Sequence, residues 1–248
     1  MPRKLRFNLA GIPQHVIQRG NNRQPCFFAD EDYHFYRDCL AEAARDFGCA
    51  IHAYVLMTNH VHLLVTPNSP PGIARMMQSL GRRYVQYVNY VYKRSGTLRE
   101  GCYKASLVDA ENDLLTCYRY TELNPVRANM VQRAEDYKWS SYRSHVYETS
   151  KAFLEDHPLY EALGATPEAC RDAYRALFRP QLDPTVLAEL RTALNRELIT
   201  GSQRFKAEVE AMLRRSVRPG KRGRPTKRVE EAIAAQGAGQ QLSLLEKR

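Results

Sequence analysis

The residues best suited to chemistry are two histidines one residue apart, in Asn59-His60-Val61-His62-Leu63-Leu64-Val65. In a strand, alternate side chains share a face, so His60 and His62 project together while Val61, Leu63 and Val65 turn toward a core. Two imidazoles side by side are a preformed pair of ligands for a divalent metal. The spacing alone leaves another reading open, a pair of hydrogen-bonded histidines on a polar sheet face. Two features favour the metal. The apolar face is complete without the histidines, and a third ligand and a nucleophile are both on offer downstream.

That second segment is Leu114-Leu115-Thr116-Cys117-Tyr118-Arg119-Tyr120-Thr121-Glu122-Leu123-Asn124-Pro125. On a helix Tyr120 and Asn124 are four apart and therefore neighbours. A phenol beside an amide oxygen able to ligate a metal suits phosphoryl transfer, in which the phenol attacks phosphorus and the ion offsets charge on the non-bridging oxygens. Tyrosine is a poor nucleophile at its ordinary pKa of about 10, so it needs an electrophile of this kind. The chain has 15 tyrosines. Tyr118 follows Leu114 and Leu115 at core-facing helical spacing, whereas Tyr120 lies about 200° further round. Tyr120 is the favoured nucleophile and Tyr118 the second candidate. Tyr84, Tyr87 and Tyr92 read as packing or DNA-stacking groups.

Positioning these groups requires a sheet and a helix beside it. Residues 14–18 (QHVIQ) form a short strand candidate, followed by the basic, turn-like RGNNRQP. Apolar spacing predicts a helix over 30–47 that stops at Gly48. Residues 50–57 and 61–66 read as two strands joined by a tight turn at Thr58-Asn59. Pro-Pro-Gly at 70–72 opens a helix reaching about Tyr92, residues 103–108 suggest a strand, and 111–123 a helix ended by Asn124-Pro125. The order β-α-β-β-α-β-α predicts an α+β fold: an antiparallel sheet with helices packed on one face. Beyond about residue 150, helix-like segments near 167–178, 184–199 and 202–215 predict a small all-α extension. The expected organisation is a catalytic domain over 1–150, a helical extension over 151–215 and a basic, partly disordered tail over 216–248.

The bulk properties are compatible with a DNA partner. The 248 residues carry a formal charge of +10 and 44% hydrophobic residues, enough for a real core and a net attraction to polyanions. Six cysteines without a C-x-x-C pair look like buried thiols of a reducing compartment, which excludes a disulfide scaffold. No apolar run is long enough to span a bilayer, and no signal-peptide pattern follows the basic start; a cytoplasmic protein is expected. Candidate DNA contacts are Arg19, Asn21, Asn22 and Arg23 in the basic turn, then Arg82, Arg83 and Arg127. Lys221, Arg222 and Arg224, in Lys-Arg-Gly-Arg-Pro, suit either a minor-groove hook or a generic basic tail.

NHVHLLV is similar to the histidine–hydrophobic–histidine motif of single-tyrosine transposases, rolling-circle nucleases and relaxases. More narrowly, HVIQRGNNRQPCFFADEDY at 15–33, YVLMTNHVHLLV at 54–65, YRYTELNPVRANMV at 118–131 and YKWSSYRSH at 137–145 together resemble the REP-associated tyrosine transposases, over residues 1 to about 150. The resemblance implies a ferredoxin-like, RRM-like palm and Mg²⁺ or Mn²⁺ held by His60, His62 and Asn124, with Tyr120 as nucleophile. It implies transesterification through a 5′-phosphotyrosine on hairpin-forming palindromic repeats in single-stranded DNA, by a monomer without a nucleotide cofactor; some relatives work as homodimers. Thr121 stands where the family often has an aliphatic residue and Asn129 where glycine is common, and Asn tolerates a left-handed turn. A histidine-triad hydrolase is disfavoured because the third alternating position is Leu64. A metal-dependent amidohydrolase is disfavoured because repeated βα units are lacking. A transposase-derived DNA-binding regulator with an idle site is the remaining alternative.

Overall fold

A computed structural model describes residues 6–147, 153–214 and 216–217 of the chain. The basic run containing Lys221, Arg222 and Arg224 lies outside the described residues.

Four strands, β1 (Gln14–Arg19), β2 (Cys49–Met57), β3 (His60–Pro67) and β4 (Lys104–Leu107), form one antiparallel sheet in the order β2-β3-β1-β4. With α1 (Asp30–Asp46) after β1 and α2 (Gly72–Val91) after β3, this is the ferredoxin-like arrangement. The alternation read in β3 sets the layers. Val61, Leu63 and Val65 join Val16 of β1 in a core with Tyr36 and Leu40 of α1 and Met76, Leu80 and Tyr84 of α2. Both helices therefore cover the face opposite the histidines.

The histidine face has its own cover, a detail that helices on one face alone do not describe. Helix α3 (Ala110–Glu122) packs there, with Leu114, Cys117 and Tyr118 against Ala53 and Leu64 of the sheet. A short α4 (Asn124–Arg127) follows. Pro125 has no N–H to continue the α3 ladder, which breaks the helix where the sequence places its end. Asn129 takes up the left-handed conformation, φ 54°.

The later helices are α5 (Tyr142–Val146), α6 (Pro158–Glu161), α7 (Pro167–Leu177), α8 (Pro184–Arg196) and α9 (Gln203–Leu213). They do not form a separate core. Tyr142 and Val146 of α5, Tyr160 of α6, and Cys170 and Tyr174 of α7 pack against Tyr118 of α3, while Ile199 and Val209 close over Leu107 of β4. The chain through Val217 is a single compact unit, so the boundary expected near residue 150 does not divide the packing.

Candidate functional site

The register of β1 against β3 places Arg19 opposite His60, Ile17 opposite His62 and His15 opposite Leu64. His15 and His62 are therefore diagonal neighbours on one face, close enough for ring contact. Their rings stack with centroids 5.0 Å apart, and His15 Nε2 lies 2.9 Å from His62 Nδ1. His60 follows, its ring centroid 5.1 Å from that of His62. His60 Nδ1 donates to Asn59 Oδ1 at 2.6 Å, and Asn59 Nδ2 donates to the Arg23 carbonyl at 3.0 Å. The basic turn, a 3-10 segment at Asn21–Arg23, is thus tied to the first histidine through one amide.

Helix α3 brings Tyr120 to this face. Its ring centroid lies 5.4 Å from that of His15 and 5.9 Å from that of His62, both edge-on, and the side chain is almost buried. Arg127 completes the enclosure: its guanidinium sits 4.3 Å from the Tyr120 ring centroid, and Nη2 donates to the Tyr120 carbonyl at 2.8 Å. Tyr118 points elsewhere, wholly buried against His145, Tyr160 and Tyr174, and burial holds its phenol well above the ordinary range.

Electrostatics keep the imidazoles neutral. Burial, then the Arg127 charge, lowers His15 to about 3. Burial, then Arg19, lowers His60 to about 4. His62 is held well below the usual histidine range, first by burial and then by His15, His60, Arg127 and Arg19. Burial lowers Arg127 to about 10, so it keeps its charge at neutral pH.

The donor set fits a divalent cation. A neutral imidazole ligates through one nitrogen while the other is hydrogen-bonded, which fixes its tautomer and orientation. Nδ1 of His60 and of His62 are both engaged in this way, leaving each Nε2 for an ion. For His62 to present a lone pair there, its Nδ1 must donate to His15 Nε2; the His15 proton then sits on Nδ1, which is buried without a partner. In that arrangement His15 would support His62 and would not itself be a third ligand. Among the described residues no three His, Cys, Asp or Glu side chains form a metal cluster, so a further protein donor has to be of another type. Asn124 is of such a type: it stands just past the α3 break, four residues after Tyr120, and its side-chain oxygen is the atom that could ligate an ion.

The other sequence candidates separate. Arg19 ends β1 on the histidine face, and Asn21, Asn22 and Arg23 are exposed beside it. Arg82 and Arg83 lie on α2, behind the sheet, where Arg83 Nη1 pairs with Glu42 at 2.6 Å. Tyr84 is core, and the hydroxyls of Tyr87 and Tyr92 donate to Asp32 at 2.9–3.1 Å, so all three serve packing. His15 and Asn59 were not singled out from sequence. QHVIQ reads only as a strand, and the partner His15 meets depends on the pairing register.

Residues 9–122 match the family model of IS200-like transposases. Over that span the chain is similar to the family. The IS200-like span contains His15, His60, His62 and Tyr120 and ends two residues beyond the tyrosine. A solved structure of a REP-associated tyrosine transposase bound to a REP hairpin is similar at TM-score 0.52 and 16% identity, over 63% of this chain and 93% of that one. At that identity the likeness speaks for the fold. A putative transposase from Deinococcus radiodurans R1 aligns at 21% identity over 55% of this chain and 98% of its own, with a TM-score of 0.35. No curated protein gives a significant sequence match.

Proposed function

We propose that this IS200-like transposase nicks and rejoins single-stranded DNA beside hairpin-forming palindromic repeats, with Tyr120 as the attacking group. The observation that carries the reading is the approach of the Tyr120 ring to 5.9 Å from His62, on the sheet face that also presents His60. Mg²⁺ or Mn²⁺ held by His60, His62 and Asn124 would supply charge neutralisation at the scissile phosphate. The Tyr120 oxygen forms a bond to phosphorus as the bond to the 3′ oxygen breaks. The 5′ phosphate stays on the tyrosine and a 3′ hydroxyl departs. Attack by a 3′ hydroxyl on that phosphotyrosine reverses the step without ATP, since one ester replaces another.

Arg127 has two tasks in this scheme. Packed over the ring and bonded to the Tyr120 backbone, it holds the phenol's helix at the point where Pro125 interrupts it. Its retained charge also favours an anionic substrate nearby. Arg19 and the Asn21–Arg23 turn flank His60 and meet the strand's phosphates, and no nucleotide cofactor takes part.

The test uses His60→Ala and His62→Ala. Each should abolish nicking of a labelled hairpin oligonucleotide in Mn²⁺ and leave its binding in EDTA largely intact. Equal loss of binding and nicking would identify the histidines as structural and overturn the reading.

A further inference from the structure

Behind the sheet, at the end that carries His60, a groove of about 760 Å³ runs between α2 and the segment 96–103. Its floor is apolar, from Met77, Val85 and Leu98; its rim carries Arg75 and Arg82, exposed on α2, and one acid, Glu100, exposed on the 96–103 segment. Neither of those two arginines has an ion-pair partner among the described residues, in contrast with the neighbouring Arg83.

Two buried polar groups line the same groove without satisfaction. Arg99 is 7% exposed, and none of its three guanidinium nitrogens has a hydrogen-bond partner; its neighbours are the rings of Tyr36 and Tyr84, each 5.3 Å away. Gln18 is 6% exposed, with Oε1 unpartnered. A buried charge and a buried acceptor are costly when unpaired, and a ligand carrying negative charge and hydrogen-bonding edges offsets both.

We propose that this groove holds an unpaired nucleotide of the substrate strand, its base on the apolar floor and its phosphates on Arg75 and Arg82. This rests on the single-stranded DNA reading above and assigns the flanking strand a place. Single strands are gripped by surfaces that take the base faces and by cations along the backbone; here an aliphatic floor can cover the base, and Arg75 and Arg82 supply the cations. Its volume is of the order that binding pockets use. Asn21 supplies the connection. It borders the groove, its N–H bonds to the Leu98 carbonyl at 3.0 Å, and it begins the turn whose other end is fastened to His60 through Asn59. A strand leaving the histidine face across this turn enters the groove directly.

Gly81 makes the proposal testable without harming the fold. It faces the groove from the middle of α2, and a Cβ there meets nothing within 4 Å, so a larger residue occupies the groove instead of displacing protein. Binding is measured by fluorescence anisotropy in EDTA, which excludes nicking, with a hairpin oligonucleotide that is bare or carries an unpaired flank on its 5′ or its 3′ side. The wild type should gain about tenfold in affinity from one of the flanks. Gly81→Leu and Arg82→Glu should lose that gain and bind the bare hairpin as the wild type does; Arg83→Ala should keep it. Retention of the gain by Gly81→Leu at native melting temperature, or no gain in the wild type, overturns the proposal. Should Gly81→Leu fail to fold, Arg82→Glu, at an exposed position, decides alone. The binding assay reads the groove apart from cleavage: a wild type that gains from the flank in EDTA and yet never nicks the same oligonucleotide when Mn²⁺ is supplied contradicts the cleavage reading and leaves the groove assignment standing.

Discussion

His15 Nε2 stands 2.9 Å from His62 Nδ1, so the second imidazole of the pair is oriented by a third that comes from a different strand. This contact fixes the orientation of the His62 ring, and with an ion on Nε2 it would fix the tautomer as well. Several consequences can be measured.

Loss of the supporting imidazole should weaken the ion more than the DNA. Partners of metal-ligating histidines typically contribute about 10- to 100-fold in metal affinity. His15→Phe should raise the Mn²⁺ concentration needed for half-maximal nicking by about that factor, with hairpin affinity in EDTA unchanged. An unaltered Mn²⁺ titration would show that the contact has no bearing on the ion.

The histidine cluster also makes stability depend on pH in a known direction. His15 and His60 are lowered from 6.5 to about 3 and about 4, so below pH 6.5 the unfolded chain takes up protons that the folded protein refuses. Their contribution is fully present above that pH and is lost as pH falls toward the folded values. Urea denaturation at pH 7 and at pH 5 should show a larger loss for the wild type than for His60→Asn, which removes one titrating group. Identical losses would mean that His60 is not held neutral.

Buried and exposed polar contacts should differ sharply. Glu122 is fully buried; it accepts from Tyr174 Oη at 2.7 Å and lies 2.7 Å from His145 Nδ1, with Ser141 as a further donor. Those partners sit on α7, on α5 and at the start of α5, so this carboxylate ties the end of α3 to the later helices. Removing the shared member of a buried hydrogen-bonded network leaves several polar groups unsatisfied, and Glu122→Ala should lower the unfolding free energy by about 3 kcal/mol or more. Arg83→Ala breaks a half-exposed pair with Glu42 and should cost less than about 1 kcal/mol. Comparable losses in the two variants would refute the distinction.

Much of this architecture was legible from local pattern. The alternation around His60 and His62 separates a core face from a chemical face, and Pro125 ends α3 as its missing N–H requires. The angle between Tyr118 and Tyr120 on a helix sends one into the core and the other toward the imidazoles. What stayed hidden is non-local. His15 meets His62 only because β1 and β3 pair in one register, and Arg83 is occupied because α1 happens to present Glu42. The helices after residue 150 read as a separate unit since each is locally amphipathic. The apolar sides of α6 and α7 are completed by Tyr118 and that of α9 by Leu107, residues far earlier in the chain.

The most direct test of the account is covalent trapping. Incubated with a labelled hairpin oligonucleotide and Mn²⁺, then denatured, the wild type should carry a DNA adduct that disappears in Tyr120→Phe and persists in Tyr118→Phe. An adduct that survives the loss of Tyr120 would contradict the assignment of the attacking group and, with it, the role given to the histidine face.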